Sequence, residues 1–136
     1  MKVLIVEDNK IAVIGLKRII SKHSDLEIEV AVNGKIGLEL LTNTKSNLPN
    51  FILLDLNMPI MNGIELLSII KNDDRLKCIP VIILTTSNNI DDYEKCERLG
   101  ASGYFIKEVD YEKYNNNILL ILDYWRSSFG RHHFNN

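Results

Sequence analysis

Five short apolar runs punctuate the chain: Val3–Val6, Ile28–Val32, Phe51–Leu54, Val81–Leu84 and Tyr104–Ile106. They are mostly β-branched or aromatic and most lead into polar or turn residues, which is the pattern of short strands. The segments between them carry helical spacing instead. In the first, Ala12, Leu16, Ile19, Ile20 and His23 fall at offsets 0, 4, 7, 8 and 11, one helical face. Gly34–Thr42, Gly63–Lys71 and Asp91–Leu99 read as shorter helices. Asp91 and Asp92 suit the first turn of the third of these, and Gly100 suits its C-terminal cap. A last helix is expected from about Tyr111 to Ser127. Its residues Tyr114, Ile118, Ile121, Leu122 and Trp125 would pack on the sheet, leaving Leu119, Leu120 and Tyr124 largely off that face.

Strands alternating with helices predict an α/β fold, a doubly wound parallel sheet of five strands covered on both faces by five helices. Residues 1–129 are expected to form one domain and 130–136, with His132 and His133, a disordered tail; Asn43–Asn50 reads as a loop. A chain of 136 residues, 46% hydrophobic and 25% charged, is ordinary for a soluble globular protein with a sizeable core. A net charge of −2 and no Lys/Arg run of five or more give no basis for direct nucleic-acid binding. The N-terminal apolar run is too short for a signal or membrane segment. A cytoplasmic protein without membrane contact is therefore expected, with Cys78 and Cys96 as reduced, partly buried thiols. No segment is left for an appended output domain, so output is expected through protein contact.

In such a sheet the strand C-termini share one edge, and ligands bind in the crevice there. That edge collects Glu7 and Asp8 after strand 1, Asp55 after strand 3, Thr85 and Thr86 after strand 4, and Lys107 after strand 5. Three packed carboxylates repel one another, and a hard divalent cation relieves the repulsion; Mg²⁺ prefers a few carboxylates with water and phosphate oxygen. With a hydroxyl at Thr85 and an ammonium at Lys107, the set suits phosphoryl transfer, in which an aspartate can itself be the nucleophile.

The stretches VEDN (6–9), LLDLNMPIMNG (53–63), ILTTS (83–87) and YFIK (104–107) together resemble the response-regulator receiver domain of two-component signalling, over roughly residues 1–127. The resemblance implies a CheY-like, flavodoxin-like sheet of strand order 2-1-3-4-5. It also implies a stand-alone regulator whose Asp55 accepts a phosphoryl group from a sensor histidine kinase or phosphotransfer protein, rather than an enzyme with a separate substrate. By the same resemblance Asp8 would ligate Mg²⁺ directly, Glu7 through water, and Asp55 and the backbone carbonyl of Asn57 would complete the protein's share. Thr85 would turn toward the phosphoryl group, Lys107 would pair with it, and Tyr104 would be the switch aromatic that remodels the face of helix 4, strand 5 and helix 5. Asn57 and Ser87 would line the approach of hydrolytic water.

One departure from the family pattern stands at Glu108, where many receivers carry a proline in a cis peptide. A cis bond before a non-proline residue costs about 2.5–4 kcal/mol, so the loop either bears that or runs trans and places Lys107 differently. This keeps open a pseudo-receiver, a binding module independent of phosphorylation. The all-apolar turn Ile118–Leu122 predicts an interface, a symmetric homodimer through Leu119, Leu120 and Tyr124 or a target protein. The segment ILDYWRSSF is similar to single-domain receivers that pair with phytochrome-type or hybrid kinases. An aspartate-nucleophile phosphatase fits poorly, because its two acids would be spaced by one residue after the first strand.

Overall fold

A computed structural model describes residues 1–135, with side chains through residue 125. Ten elements alternate without exception: β1 (Lys2–Val6), α1 (Lys10–His23), β2 (Glu27–Ala31), α2 (Gly34–Thr42), β3 (Phe51–Leu54), α3 (Gly63–Lys71), β4 (Val81–Thr85), α4 (Ile90–Leu99), β5 (Gly103–Ile106) and α5 (Tyr111–Asn135). All five strands are parallel and lie in the order β2-β1-β3-β4-β5. The expected doubly wound sheet, with its five helices and strand order, is the one found.

Period-two alternation along the strands divides the core into two layers. Leu4, Val6, Ile52, Leu54, Val81 and Ile83 face α2, α3 and α4, meeting Leu41, Leu66, Leu67, Ile70 and Cys96. Val3, Ile5, Phe51, Leu53, Ile82 and Leu84 face α1 and α5, meeting Leu16, Ile19, Ile20, Ile118, Ile121 and Leu122. The inner strands β3 and β4 are therefore buried along their whole length, and each such side chain contributes about 1.5–3 kcal/mol. The edge strand β2 keeps Glu27 exposed and Lys2 pairs with its Glu29, which discourages further strand addition on that side.

Asparagine starts four of the helices. Asn9, Asn33, Asn62 and Asn89 each accept a backbone N–H of the first turn of α1, α2, α3 and α4. Such caps satisfy amides that the helix itself cannot. Gly100 ends α4 at φ 97°, in the left-handed conformation that glycine adopts without penalty.

The last helix departs from its expected outline. It continues to Asn135 instead of closing near Ser127. The segment 130–136, expected as a disordered tail, has no described side chains, and Asn136 lies outside the described residues. Leu119, expected off the packing face, is half-buried against the α1–α5 layer, whereas Leu120 and Tyr124 are 62% and 63% exposed. Leu119 falls about 60° from Leu122 around the helix axis and borders the buried stripe on one flank, where it joins the α1–α5 layer; Tyr124 lies about as far from Ile121 on the other flank, with Leu120 next to it, beside β5. Cys78 is exposed and Cys96 buried, both as free thiols, so burial holds for only one of them.

Candidate functional site

The residues that leave the strands continue the ladder for one more step. The Glu7 N–H donates to the Ala31 carbonyl, the Asp55 N–H to the Val6 carbonyl and the Lys107 N–H to the Thr85 carbonyl, at 3.0, 3.0 and 2.7 Å. Since Val6 is in register with both Ala31 and Leu54, Glu7 and Asp55 emerge side by side. The turn after Asp55 folds back at once: the Gly63 N–H donates to the Leu56 carbonyl at 2.9 Å. A Cβ at Gly63 would run into the Asp55 carbonyl oxygen and the Leu56 Cα, so only glycine lets α3 start against the end of β3.

Glu7, Asp8 and Asp55 each bring a carboxylate oxygen within 4.8 Å of the others, with Glu7 and Asp55 buried and Asp8 exposed. Oxygens that share one cation at 2.0–2.6 Å lie at most about 5 Å apart, so these hard donors fit a single divalent ion. The exposed Asp8 leaves the cluster open to solvent on one side. Asn57 is exposed two residues beyond Asp55 in the β3–α3 turn.

Lys107 is the cation these acids see. Its Nζ donates to Glu7 Oε1 and lies 4.0 Å from Asp55 Oδ2. Asp55 Oδ1 accepts the Leu56 N–H at 2.9 Å, and Glu7 Oε2 accepts the Asn9 N–H at 3.3 Å. Burial pushes the Glu7 carboxyl up to about 7, with the Lys107 hydrogen bond opposing the rise and the Asp55 charge adding to it. Among the described residues no peptide is cis, so the Lys107–Glu108 bond runs trans, and the ammonium still arrives at the acids.

Thr85 is fully buried, and its Oγ1 accepts the Ser87 N–H at 3.2 Å. Tyr104 is half-buried; its hydroxyl donates to the Ser87 carbonyl at 3.0 Å and its ring meets Tyr93 edge-on at 5.3 Å. Of the expected residues, Glu7, Asp8, Asp55 and Lys107 thus come together, while Thr85 and Tyr104 are linked to each other through Ser87. Asp92 was expected only to suit the first turn of α4, yet its Oδ2 accepts the Ser87 hydroxyl at 2.7 Å. No periodicity signals that pair; only its spacing of five across a helix start could have suggested it. Ser87 accordingly turns its hydroxyl to α4 rather than to the acids.

With this geometry in place, the comparisons with known proteins agree on one family. The chain belongs to the response regulator receiver domain family, whose model matches residues 3–118. It is 34% identical over 127 residues to the probable methanogenesis regulatory protein FilR2 of Methanothrix harundinacea, covering 90% of this chain and 82% of that one. Response regulator Rcp1 of a Synechocystis species is 34% identical over 129 residues, covering 90% of this chain and 87% of Rcp1. The structure of the Mn(2+)-bound form of Rcp1 matches with a TM-score of 0.82 at 32% identity, over 91% of this chain and 93% of that one. The crystal structure of the phosphorylated cyanobacterial phytochrome response regulator RcpA matches with a TM-score of 0.88 at 30% identity, over 93% and 94%. The similarity to phytochrome-associated regulators expected from the closing segment is thus present. Receiver domains are signalling modules of two-component systems and interact with histidine kinases or phosphotransfer proteins. Among the described residues no helix is long and apolar enough to cross a membrane.

Proposed function

We propose that this receiver works by accepting a phosphoryl group on Asp55 from a phosphohistidine of a sensor histidine kinase or phosphotransfer protein. The observation that carries the reading is Asp55 itself, a carboxylate 7% exposed, flanked by two further acids and 4.0 Å from an ammonium. An Asp55 oxygen attacks phosphorus, the P–N bond to the donor imidazole breaks, and the imidazole leaves with its electron pair and then holds a proton. Asp8, Asp55, the Asn57 carbonyl and, through water, Glu7 would hold Mg²⁺. The ion supplies charge neutralisation for the phosphoryl oxygens. Relatives described as phosphorylated and as Mn(2+)-bound support both halves of this reading.

Lys107 reaches both Glu7 and Asp55, and its ammonium would pair with a phosphoryl group carried on Asp55. Thr85 turns its hydroxyl to the same group, and Tyr104 follows into the space released, a population shift between two packings. The trans Lys107–Glu108 peptide, which leaves the ammonium beside Asp55, argues against the phosphorylation-independent alternative. Leu120 and Tyr124, exposed beside a recess of about 370 Å³ between β5 and α5, are the surface we assign to self-association.

Treatment with acetyl phosphate and Mg²⁺ should add one phosphoryl mass to the wild type and none to Asp55→Asn or to the chelated protein. A wild type that stays unmodified, with acetyl phosphate and with a panel of kinases, would remove this function.

A further inference from the structure

We infer that Ser87 is a positioning residue that ties the state of Thr85 to helix α4 through its bond to Asp92, an inference that rests on the phosphoacceptor reading above. Four hydrogen bonds meet at this one residue. Its N–H donates to Thr85 Oγ1 (3.2 Å), its hydroxyl donates to Asp92 Oδ2 (2.7 Å), its carbonyl accepts the Tyr104 hydroxyl (3.0 Å), and its Oγ accepts the Asn89 N–H (3.3 Å). The first is made to Thr85 at the end of β4, the second reaches the first turn of α4, and the fourth holds the residue that caps α4, since Asn89 Oδ1 accepts the Asp91 N–H at 2.8 Å.

These bonds are in series. The Thr85 hydroxyl oxygen cannot both accept from the Ser87 amide in this rotamer and turn to a phosphoryl group at Asp55. When it turns, the half-buried Ser87 N–H loses its acceptor, a cost that a shift of the loop backbone toward a new partner removes. Ser87 therefore shifts. Its link to α4 is the strong kind, a hydroxyl on an ionised carboxylate, and it is the side-chain bond from Ser87 to the body of that helix. The displacement is passed to Asp92 and with it to the start of α4. Ser87 is thus set apart from Thr86, which is exposed and next to the same loop.

Beryllofluoride, a phosphoryl mimic, with Mg²⁺ tests this on the full chain, with binding followed by fluorine NMR and amide exchange measured over α4 with and without the mimic. The wild type should show exchange in the first turn of α4 changing roughly tenfold on binding, the scale of one charge-assisted hydrogen bond. Ser87→Ala and Asp92→Ala should bind the mimic while that change falls below about twofold. The double variant should lose no more than either alone, and Ser87→Thr, which keeps a hydroxyl, should restore the response. Single variants that bind the mimic and respond like the wild type overturn the inference alone. A wild type that does not bind it overturns the phosphoacceptor reading, and the inference with it.

Discussion

At Glu7 two forces act against each other: burial favours the protonated acid, and Lys107 favours the charged one. The pair is nearly enclosed, the side chains being 3% and 16% exposed. Removing one partner leaves the other buried and uncompensated. Lys107→Met should therefore cost the metal-free protein about 2 kcal/mol in urea unfolding, less than for a fully enclosed pair because Glu7 can take up a proton. A loss under about 0.5 kcal/mol would mean that the ammonium is not held by these acids. The two thiols differ in accessibility. Burial pushes Cys96 up to about 11, with the Asp92 charge adding to it, whereas Cys78 is exposed. At pH 8 a thiol reagent should label one cysteine per native chain rapidly and both after denaturation. Because the folded pKa of Cys96 is raised above its ordinary value near 9, its contribution to stability is complete below that pH and is lost as the pH rises toward about 11. Ile60 carries strain of a different kind. It has φ 71°, the one positive φ outside glycine among the described residues, and its side chain is 75% exposed, so little packing offsets the cost. Ile60→Gly should raise stability by about 1 kcal/mol, the strain relieved less the entropy glycine adds to the unfolded chain. No gain in thermal or urea midpoint would show that the conformation is not strained.

Among the elements, strands were the most legible. Phe51–Leu54 is an unbroken apolar run, and β3 has those bounds. Helix bodies were legible from spacing, and α2 and α3 begin and end where the glycines and polar residues suggested. What starts the helices was less so, because an asparagine in a polar loop reads as a turn until the amide it satisfies is known. The Ser87–Asp92 bond was hidden for the same reason: it depends on how the loop folds over the end of β4. The strain at Ile60 ran against propensity, since β-branched residues avoid that region. Leu119 was misplaced because α5 packs against its neighbour α1 as well as against the sheet, and so buries a wider stripe than the sheet alone would cover. Helix α3 carries the most specific prediction at this scale. The Glu65 N–H donates to Asn62 Oδ1 and the Asn62 N–H to Glu65 Oε1, at 2.9 and 3.2 Å, a reciprocal capping box. Asn62→Ala should lower stability by about 1 kcal/mol. If calorimetry finds no shift in Tm, the box is not formed in solution.

Across the whole molecule, parallel topology is what makes the site. Five strands that point one way bring residues as distant as Glu7 and Lys107 into one cluster at the edge where the strands end. The acids, Thr85 and Lys107 could be placed at that edge from the sequence because the edge follows from topology alone. Their pairing could not, since it depends on side-chain reach. The exposed side of α5 belongs to this scale too: light scattering should show a mass that rises with concentration in the wild type and less steeply in Leu120→Glu, while a fixed monomer mass would remove the self-association surface. The central claim is that this edge makes Asp55 the phosphoacceptor, and peptide mapping of the protein after acetyl phosphate and Mg²⁺ tests it most directly. The account predicts a single hydroxylamine-sensitive phosphoryl group on the peptide that contains Asp55. A phosphoryl group on another residue, such as Thr85, Thr86 or Ser87, would contradict it.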